Sequence, residues 1–350
     1  MSEVGNGPGI LDSTKSVPGT QYPVPGPSYE TRRVDLRPEV RSYAEKLHAR
    51  VKEIYAKYGA TDAAGMYKRT KRMKAGEAKA KGLLADAKEL TALLGKLAYL
   101  LDNKEFGPGM ELEVKKEKLY ASEEAILSSK FKRRVEVPAL PDWITLEKME
   151  EWERKRLELH YLPPFDMSEE SPEGWVKPHV RHIDLEKMPP DFMVLPGCWV
   201  VCDGRPKPKY ENSDTMYEDD EEFLSPVLEG LVKARLINKW GLNPKSRFFV
   251  SLYDLNKPEV MAALAGAYGL KPGDVAVQRM VEFNALGNLH HPEWGEPSSE
   301  SAEWFNEKVL DGEYKVYGGD GRSGGLSSLF NVYPGENVNG IAFRLVGHLK

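Results

Sequence analysis

The stretch from residue 318 to residue 344, GGDGRSGGLSSLFNVYPGENVNGIAFR, joins a glycine-rich polar segment to a short apolar end. Glycine tolerates backbone conformations that other residues avoid, so this segment is predicted to follow a tightly turned, irregular path. Its other positions mix aromatic, amide, hydroxyl and charged side chains without a constant period. Mixtures rich in Tyr, Ser, Gly and Asn are typical of adaptable recognition surfaces. The stretch therefore predicts a binding segment whose path is set by the backbone.

A catalytic alternative comes from the same stretch, because Gly321-Arg322-Ser323-Gly324-Gly325 fits the G-x-S-x-G pattern of a hydrolase nucleophile. That reaction needs a helix after the serine and then an acid and a histidine. Only Glu336 and His348 follow, and too little chain remains for the strands and helices that carry such partners. A serine hydrolase using Ser323 is kept as an alternative, and the preferred prediction is a protein without enzymatic activity.

Composition places the chain among globular proteins of about two domains, with 350 residues, 41% hydrophobic and 29% charged. No run approaches the roughly 18 apolar residues that a membrane-spanning helix needs. The first residues, MSEVGNGPGILDSTKSVPG, lack the basic and apolar regions of a signal peptide. We expect no membrane span and no signal peptide, and a cytoplasmic or virion-associated location.

The N-terminal part is predicted to be a flexible arm followed by a helical module. Residues 1–37 are rich in Gly, Pro, Ser and Thr and offer little to bury, so we expect a flexible arm there. Residues 38–139 are interpreted as an α-helical module that begins with a helical hairpin. Two apolar stripes at steps of three and four carry this prediction: Val40, Tyr43, Leu47, Val51, Ile54 and Tyr58 in the first helix, and Leu83, Ala87, Leu90, Leu94, Leu97 and Leu101 in the second.

Charge is distributed unevenly, since residues 30–139 hold 25 basic and 17 acidic side chains and residues 140–350 hold 23 and 35. The basic segment 67–81 lies between the two hairpin helices and offers an alternative function, nucleic-acid binding through phosphate contacts. No aromatic or base-reading motif accompanies the charge, so a solvated helix face is favoured and a nucleic-acid partner is not expected.

No metal site and no cofactor are predicted. Cys198 and Cys202, four residues apart in a predicted strand, would lie about 13 Å apart at about 3.3 Å per residue, too far for a disulfide. His290 and His291 precede Glu293, but adjacent histidines point apart in an extended segment, and this spacing is not that of a helical zinc motif. Packing and a turn around Pro292 and Trp294 are favoured for that stretch.

Residues 140–350 are predicted to form an α+β domain. Helices are expected over 144–159, 223–237 and 257–269. Strand-rich runs are expected in FMVLPGCWVVCDG (192–204), SRFFVSLYDL (246–255), DVAVQRMVEF (274–283), YKVYGG (314–319) and NGIAFRLVGHL (339–349).

The end of this domain resembles C-type lectin folds of the formylglycine-generating-enzyme type. The resemblance rests on Gly318-Gly319, Gly324-Gly325-Leu326 and Ala342-Phe343-Arg344-Leu345, which match a "GG" strand start and a terminal "GFR" strand that bracket ligand-facing loops. With EFNALGNLHHPEWG (282–295) and AEWF (302–305), the chain is more narrowly similar to variable proteins of diversity-generating retroelements. The likeness covers about residues 140–350. It implies a C-terminal C-type-lectin-like domain preceded by the helical hairpin module.

In that family a reverse transcriptase copies a template with errors at adenines, so Asn codons are replaced by codons for many other residue types. Lys, Glu, Gln, Met and Trp are not among the residues that this process produces. Between Gly319 and Gly340 only Glu336 belongs to that set. The cysteines of the enzyme branch and the calcium motifs of sugar-binding members have no counterpart here, so neither activity is expected. The resemblance implies a hypervariable region near 318–344 with these ligand-binding residues: Asp320, Gly321, Arg322, Ser323, Ser327, Ser328, Leu329, Phe330, Asn331, Tyr333, Asn337, Val338 and Asn339.

The implied function is a receptor-like or adhesin-like protein that binds a ligand, such as a protein or cell-surface molecule, through this variable patch. Arg322, Phe330 and Tyr333 are the expected anchors, because arginine and aromatic side chains dominate interface hot spots. The leucine stripe of the hairpin also offers a surface for a homo-oligomer, which would add avidity to a weak contact.

Overall fold

A computed structural model describes residues 38–70, 82–103, 106–107, 109–180, 188–206, 222–239, 243–296, 301–308, 315–320, 325–332 and 340–350. The predicted arm over residues 1–37 lies outside the described residues, as do residues 71–81 of the basic segment. The chain divides into two compact units, residues 1–108 and 109–350. None of the described helices is long and apolar enough to cross a membrane.

The N-terminal unit contains the predicted helical hairpin. Helix α1 (Pro38–Lys57) and helix α3 (Leu83–Asn103) confirm the two helices predicted from the apolar stripes, and the short helix α2 (Ala63–Thr70) follows the first. An ion pair and a hydrogen bond link the antiparallel helices: Arg50 Nε lies 2.7 Å from Glu89 Oε1, and the hydroxyl of Tyr58, just after α1, donates to Asp86 at 2.6 Å. The hairpin core joins these buried side chains: Val51, Ile54, Tyr55, Tyr58, Ala60, Met66 and Leu90.

The boundary between the two units differs from the predicted boundary after residue 139. Helix α4 (Met110–Phe131) belongs to the C-terminal unit, because Leu127 is fully buried in that unit's core and Tyr120 packs against Trp199 at 5.7 Å between ring centroids. The charge-rich first half of α4 has a weak amphipathic pattern, so the sequence alone does not show where this helix begins.

The C-terminal unit is α+β, as predicted. It contains α4, two sheets and six further described α-helices: α5 (Leu146–Arg154), α6 (Met167–Glu170), α7 (Ser225–Lys233), α8 (Leu252–Leu255), α9 (Pro258–Tyr268) and α10 (Met280–Leu289).

The first sheet has the strand order β1-β3-β9-β4, with antiparallel neighbours throughout. Its strands are β1 (Leu157–Leu162), β3 (Cys198–Asp203), β4 (Val275–Val277) and β9 (Leu345–Leu349). Both cysteines lie in β3 and are free. The final strand β9 thus returns to pair beside the first strands of the unit.

The second sheet has the order β2-β7-β6-β5-β8, and β6 pairs antiparallel with both β5 and β7. Its strands are β2 (His179–Val180), β5 (Ala302–Lys308), β6 (Lys315–Gly318), β7 (Ser328–Val332) and β8 (Ile341–Phe343). Arg344 alone separates β8 in this sheet from β9 in the first. The predicted strand over 339–349 is therefore two strands that belong to different sheets.

Local backbone features explain why three predictions were wrong in part. In SRFFVSLYDL the described structure has the short helix α8, because the Ser251 hydroxyl accepts from the Asp254 N–H at 3.0 Å and starts a turn. In DVAVQRMVEF the strand ends at Val277, and Glu282 caps α10 by accepting from the Arg279 N–H at 2.8 Å. The helix predicted over 144–159 ends at Arg154, because Arg156 has φ 59° and the chain then enters β1.

Candidate functional site

The predicted binding stretch follows strand β6 and includes β7 and β8. In the antiparallel register Tyr317 lies opposite Phe330, and Gly318 lies opposite Leu329. Gly318 ends β6, and Gly319 leaves it with φ 85°, in the left-handed region that favours glycine. The glycine pair therefore ends a strand, whereas the resemblance implies that it starts one.

Seven of the predicted ligand-binding residues lie outside the described residues: Gly321, Arg322, Ser323, Tyr333, Asn337, Val338 and Asn339. Ser323 is also the proposed nucleophile of the hydrolase alternative, which therefore stays untested. For Ser328 and Asn331 only the backbone is described, as part of β7. Asp320, Ser327 and Phe330 are half-buried and reach solvent in part. The prediction that Leu329 binds the ligand was wrong, because its side chain is only 1% exposed within the core and cannot contact a ligand.

A backbone hydrogen bond joins the two described ends of the glycine-rich segment (residues 318–326), and a close approach to Gly295 holds one of these ends on the scaffold. The N–H of Gly325 donates to the Asp320 carbonyl at 2.9 Å, which brings the two described ends of the 320–325 segment together. Gly325 has φ 57°, and a Cβ there would overlap the backbone of Gly295. Gly325 is therefore required both by its own conformation and by the close approach of Gly295.

The next residue, Leu326, fixes the segment through its side chain. It is 6% exposed and lies against Gly287 and Gly295, where a side chain on either glycine would collide with it. Its carbonyl accepts from the Asn284 side-chain amide at 2.9 Å. The glycine-rich segment is thus held at Leu326 by α10 and by the turn after that helix.

Aromatic rings connect the segment to the second sheet. Phe330 stacks on Tyr317 with 5.5 Å between centroids and 25° between planes, and Tyr317 meets Trp304 edge-on at 6.1 Å. Trp304 is 1% exposed, and its indole N–H donates to the Val250 carbonyl at 2.8 Å. Phe330 therefore stands partly exposed on a rigid aromatic support.

Arg344, the arginine of the "AFR" motif, is a buried scaffold residue. Its Nη2 lies 3.1 Å from Glu303 Oε1, and both side chains have 0% exposure. Its Nη1 donates to the carbonyls of Asp203 and Arg205, and its guanidinium lies 4.1 Å from the ring centre of Trp294. One side chain thereby ties β5 of the second sheet to β3 of the first.

A second cluster, which the sequence analysis missed, gathers three histidines and two glutamates. His160 on β1 stacks on His290 with 3.9 Å between ring centroids, and its ring lies 5.6 Å from that of His291. Glu123 on α4 and Glu158 on β1 flank the rings. The expected extended segment at His290 and His291 was wrong, because α10 ends at Leu289 and a short 3-10 helix, Pro292–Gly295, follows. The two rings do face different carboxylates, Glu123 for His290 and Glu158 for His291. The expected packing around Trp294 is confirmed, since that side chain is fully buried.

Electrostatics distinguish the three histidines. Burial alone would lower the pKa of His160, but the hydrogen bond to Glu123 and the nearby Glu158 carboxylate raise this pKa to about 9. Burial, followed by the charge of His160, lowers the pKa of His290 to about 2. Burial and the charge of His160 also lower the pKa of His291. At neutral pH His160 therefore carries the positive charge of the cluster, and the other two rings are neutral.

A cleft of about 1000 Å³ lies elsewhere in the same unit. Its lining includes Asp191, Tyr253, Lys257, Arg279 and Glu307. Burial raises the pKa of the Glu307 carboxyl to about 8, and its Oε1 accepts from the Met280 N–H at 2.8 Å. This side chain is therefore predominantly protonated at neutral pH.

Comparisons of the chain with known protein families, with curated proteins and with solved structures return no match. The functional conclusion accordingly depends on the residues themselves and on the resemblance that their motifs carry.

Proposed function

We propose that the chain is a ligand-binding protein that displays interchangeable side chains on a rigid C-type-lectin-like scaffold and is diversified by a retroelement. The observation that carries this proposal is the anchoring of the glycine-rich segment. The Gly325–Asp320 backbone bond, the close approach of Gly325 to Gly295 and the buried side chain of Leu326 hold it, and neither Gly325 nor Leu326 is among the residues predicted to vary.

The lectin-like character of the fold is part of the proposal. It is supported by two small sheets in one unit and by a final strand that returns beside the first strands. Arg344 supports it further, because the arginine of the terminal motif links the two sheets through Glu303 and Asp203. A fixed main chain lets one side chain replace another without a new folding problem, and less entropy is lost when a ligand binds.

Among the described residues, Phe330 is the proposed anchor for the ligand, because its partly exposed ring, stacked on Tyr317, offers apolar area at small entropic cost. Asp320 and Ser327, also half-buried, supply adjustable polar contacts beside it. A protein or cell-surface molecule remains the proposed class of ligand, and assembly through the helical hairpin remains a proposal that would add avidity.

The decisive test of this function is the DNA beside the gene. We expect a near-copy of the codons for residues 318–344 that differs only where the copy has adenine, next to a reverse transcriptase gene. A complete genomic neighbourhood with neither feature would contradict the retroelement part of the proposal.

A further inference from the structure

The histidine cluster has the geometry of a metal site. Two nitrogens and one oxygen converge on one point: Glu158 Oε2 lies 3.3 Å from His160 Nε2 and 3.6 Å from His291 Nε2. All three ligand atoms lie within 4.8 Å of one another. A tetrahedral ion with bonds of about 2.0–2.1 Å separates its ligand atoms by about 3.4 Å. The two distances from Glu158 Oε2 to the histidine nitrogens match that value.

The two imidazole nitrogens lack hydrogen-bond partners in the described part of the chain. Nε2 of His160 and Nε2 of His291 are buried atoms without a hydrogen bond, although both side chains are less than a tenth exposed. The contact with Glu158 is close enough for electrostatic attraction but does not meet hydrogen-bond geometry. Buried polar atoms without partners are uncommon in folded proteins and ask for an explanation such as an ion.

Each of these two histidines is oriented by a second carboxylate at its other nitrogen. His160 Nδ1 lies 3.2 Å from Glu123 Oε1, and His291 Nδ1 lies 3.2 Å from Glu293 Oε1. Trp294 stacks on the His291 ring at 4.5 Å with 9° between planes, which fixes its rotation. A histidine that binds a metal usually donates its other N–H to a carboxylate, a carbonyl or water, so the surrounding shell also fits.

We propose that His160 Nε2, His291 Nε2 and Glu158 Oε2 bind one divalent transition-metal ion of the zinc type, and that binding releases the proton that His160 Nε2 carries in the metal-free chain. Two imidazoles and one carboxylate suit Zn²⁺ and related ions, whereas Mg²⁺ and Ca²⁺ prefer oxygen ligands. The Glu158 side chain is 49% exposed and gives the ion a path from solvent and room for a water at a fourth position.

A neighbouring set, Glu123 with His160 and His290, is also close enough to consider. Both oxygens of Glu123 are already engaged, however, one with His160 Nδ1 at 3.2 Å and the other with the Tyr161 N–H at 3.1 Å. Glu123 is therefore assigned as an orienting residue, and the ion lies on the Glu158 side of the His160 ring.

The site is connected to the candidate binding segment through the turn that carries His291. The same turn contributes Trp294, which lies against Arg344, and Gly295, which lies against Gly325. A bound ion would hold this turn in place and would thereby stiffen the support on which the glycine-rich segment rests.

The test is metal binding by the full-length untagged chain. After chelator treatment and dialysis, equilibrium dialysis against ZnCl₂ at pH 7.5 with elemental analysis is expected to give one Zn²⁺ per folded chain. Glu158→Gln removes a ligand at an accessible position and is expected to weaken binding at least tenfold. Glu293→Gln leaves all three ligands in place and is expected to weaken binding about tenfold to a hundredfold, as loss of an orienting carboxylate does.

A glycine substitution offers a variant that removes no polar group. A Cβ at Gly204 would overlap the Glu158 carboxylate, whose flexible end can move aside. Gly204→Ala is therefore expected to weaken Zn²⁺ binding several-fold while the circular dichroism spectrum stays unchanged. His48→Ala and Glu229→Gln, at exposed positions, are the matched controls and should bind like the unmodified chain.

Two results would overturn the proposal. One is the absence of stoichiometric Zn²⁺ in a folded chain, and the other is equal affinity in the unmodified chain, Glu158→Gln and Glu293→Gln. Either result would leave the cluster as an ion pair between protonated His160 and its two glutamates, with any residual metal bound elsewhere on the surface.

Discussion

Two neighbouring regions of the C-terminal unit are held in opposite ways. The glycine-rich segment is held at its described residues by the backbone of Gly325 and by the buried side chain of Leu326, neither of which is predicted to vary. The charged interior around Arg344, Glu303 and Trp294 is fixed by side chain against side chain. This difference indicates where the fold tolerates substitution. A side chain that does not hold the backbone in its position can be replaced without loss of stability.

The largest effect is expected at Arg344. Arg344→Met leaves Glu303 buried without its charge partner, and breaking a buried pair costs about 3–5 kcal/mol. Urea denaturation followed by circular dichroism measures this loss. Arg134→Met, at a side chain 84% exposed, is the matched control and should change stability by less than about 0.5 kcal/mol. A loss at position 344 no larger than the control's would show that side-chain pairing does not hold the interior.

A pH-dependent effect is expected at Glu307, another group fixed in the interior. Because burial raises its pKa from 4.5 to about 8, the folded chain binds more protons than the unfolded chain between those values. The contribution of Glu307 to stability therefore falls as pH rises through this window, by up to about 1.4 kcal/mol per pH unit.

Glu307→Gln removes this titration and keeps a side chain of the same shape. Its advantage over the unmodified chain should be small at pH 5 and grow by roughly 3–4 kcal/mol by pH 8, measured by urea denaturation at both values. Glu229→Gln, at an exposed site, serves as the control. An advantage that does not change with pH would contradict the assignment of a protonated Glu307.

A smaller effect is expected at Gly325, where the backbone anchors the binding segment. Gly325→Ala forces a side chain into the left-handed region and against Gly295, so a loss of about 1–3 kcal/mol is expected. Gly266→Ala is the matched control, because it lies in helix α9 with open space around it and should gain about 0.5–1 kcal/mol. Equal effects of the two changes in thermal unfolding would remove Gly325 as an anchor.

The smallest effects are expected at the displayed side chains. Asp320→Ala and Ser327→Ala, at half-buried side chains, should each cost no more than about 1 kcal/mol, the usual size of one hydrogen bond. Phe330→Ala should cost about 1 kcal/mol, because the ring is half-buried on Tyr317. Thermal unfolding of the three variants checks this order. A loss at Asp320 as large as that at Arg344 would abolish the distinction between the two regions.

The sequence predicts best where one local pattern decides the structure. Helices α1 and α3 follow from apolar residues at steps of three and four, and the hairpin between them was predicted with nearly correct ends. The strand predicted for SRFFVSLYDL (246–255) was wrong in part. Its apolar content indicates a strand, whereas the Ser251 cap and its Asp254 partner start a turn of helix. Propensity over a short apolar run cannot separate these two outcomes.

The histidine cluster could not be predicted because tertiary contacts assemble it. Glu123, His160 and His291 come from α4, β1 and the turn after α10, far apart in sequence. A partial signal was present, since Glu158 and His160 are two residues apart in a strand and therefore share a face. The interpretation of His290 and His291 assumed an extended segment, and the end of α10 at Leu289 removes that assumption.

The central claim is that the backbone of the glycine-rich segment stays fixed while its side chains change. A library randomised at Asp320, Arg322, Ser323, Phe330 and Asn337 tests it most directly, with the folded fraction and the binders to an unrelated protein counted after selection. The account predicts that most members stay folded and that binders arise far more often than from an equal library on exposed positions of α1. A library that mostly unfolds, or that yields binders no more often than the α1 library, would contradict it.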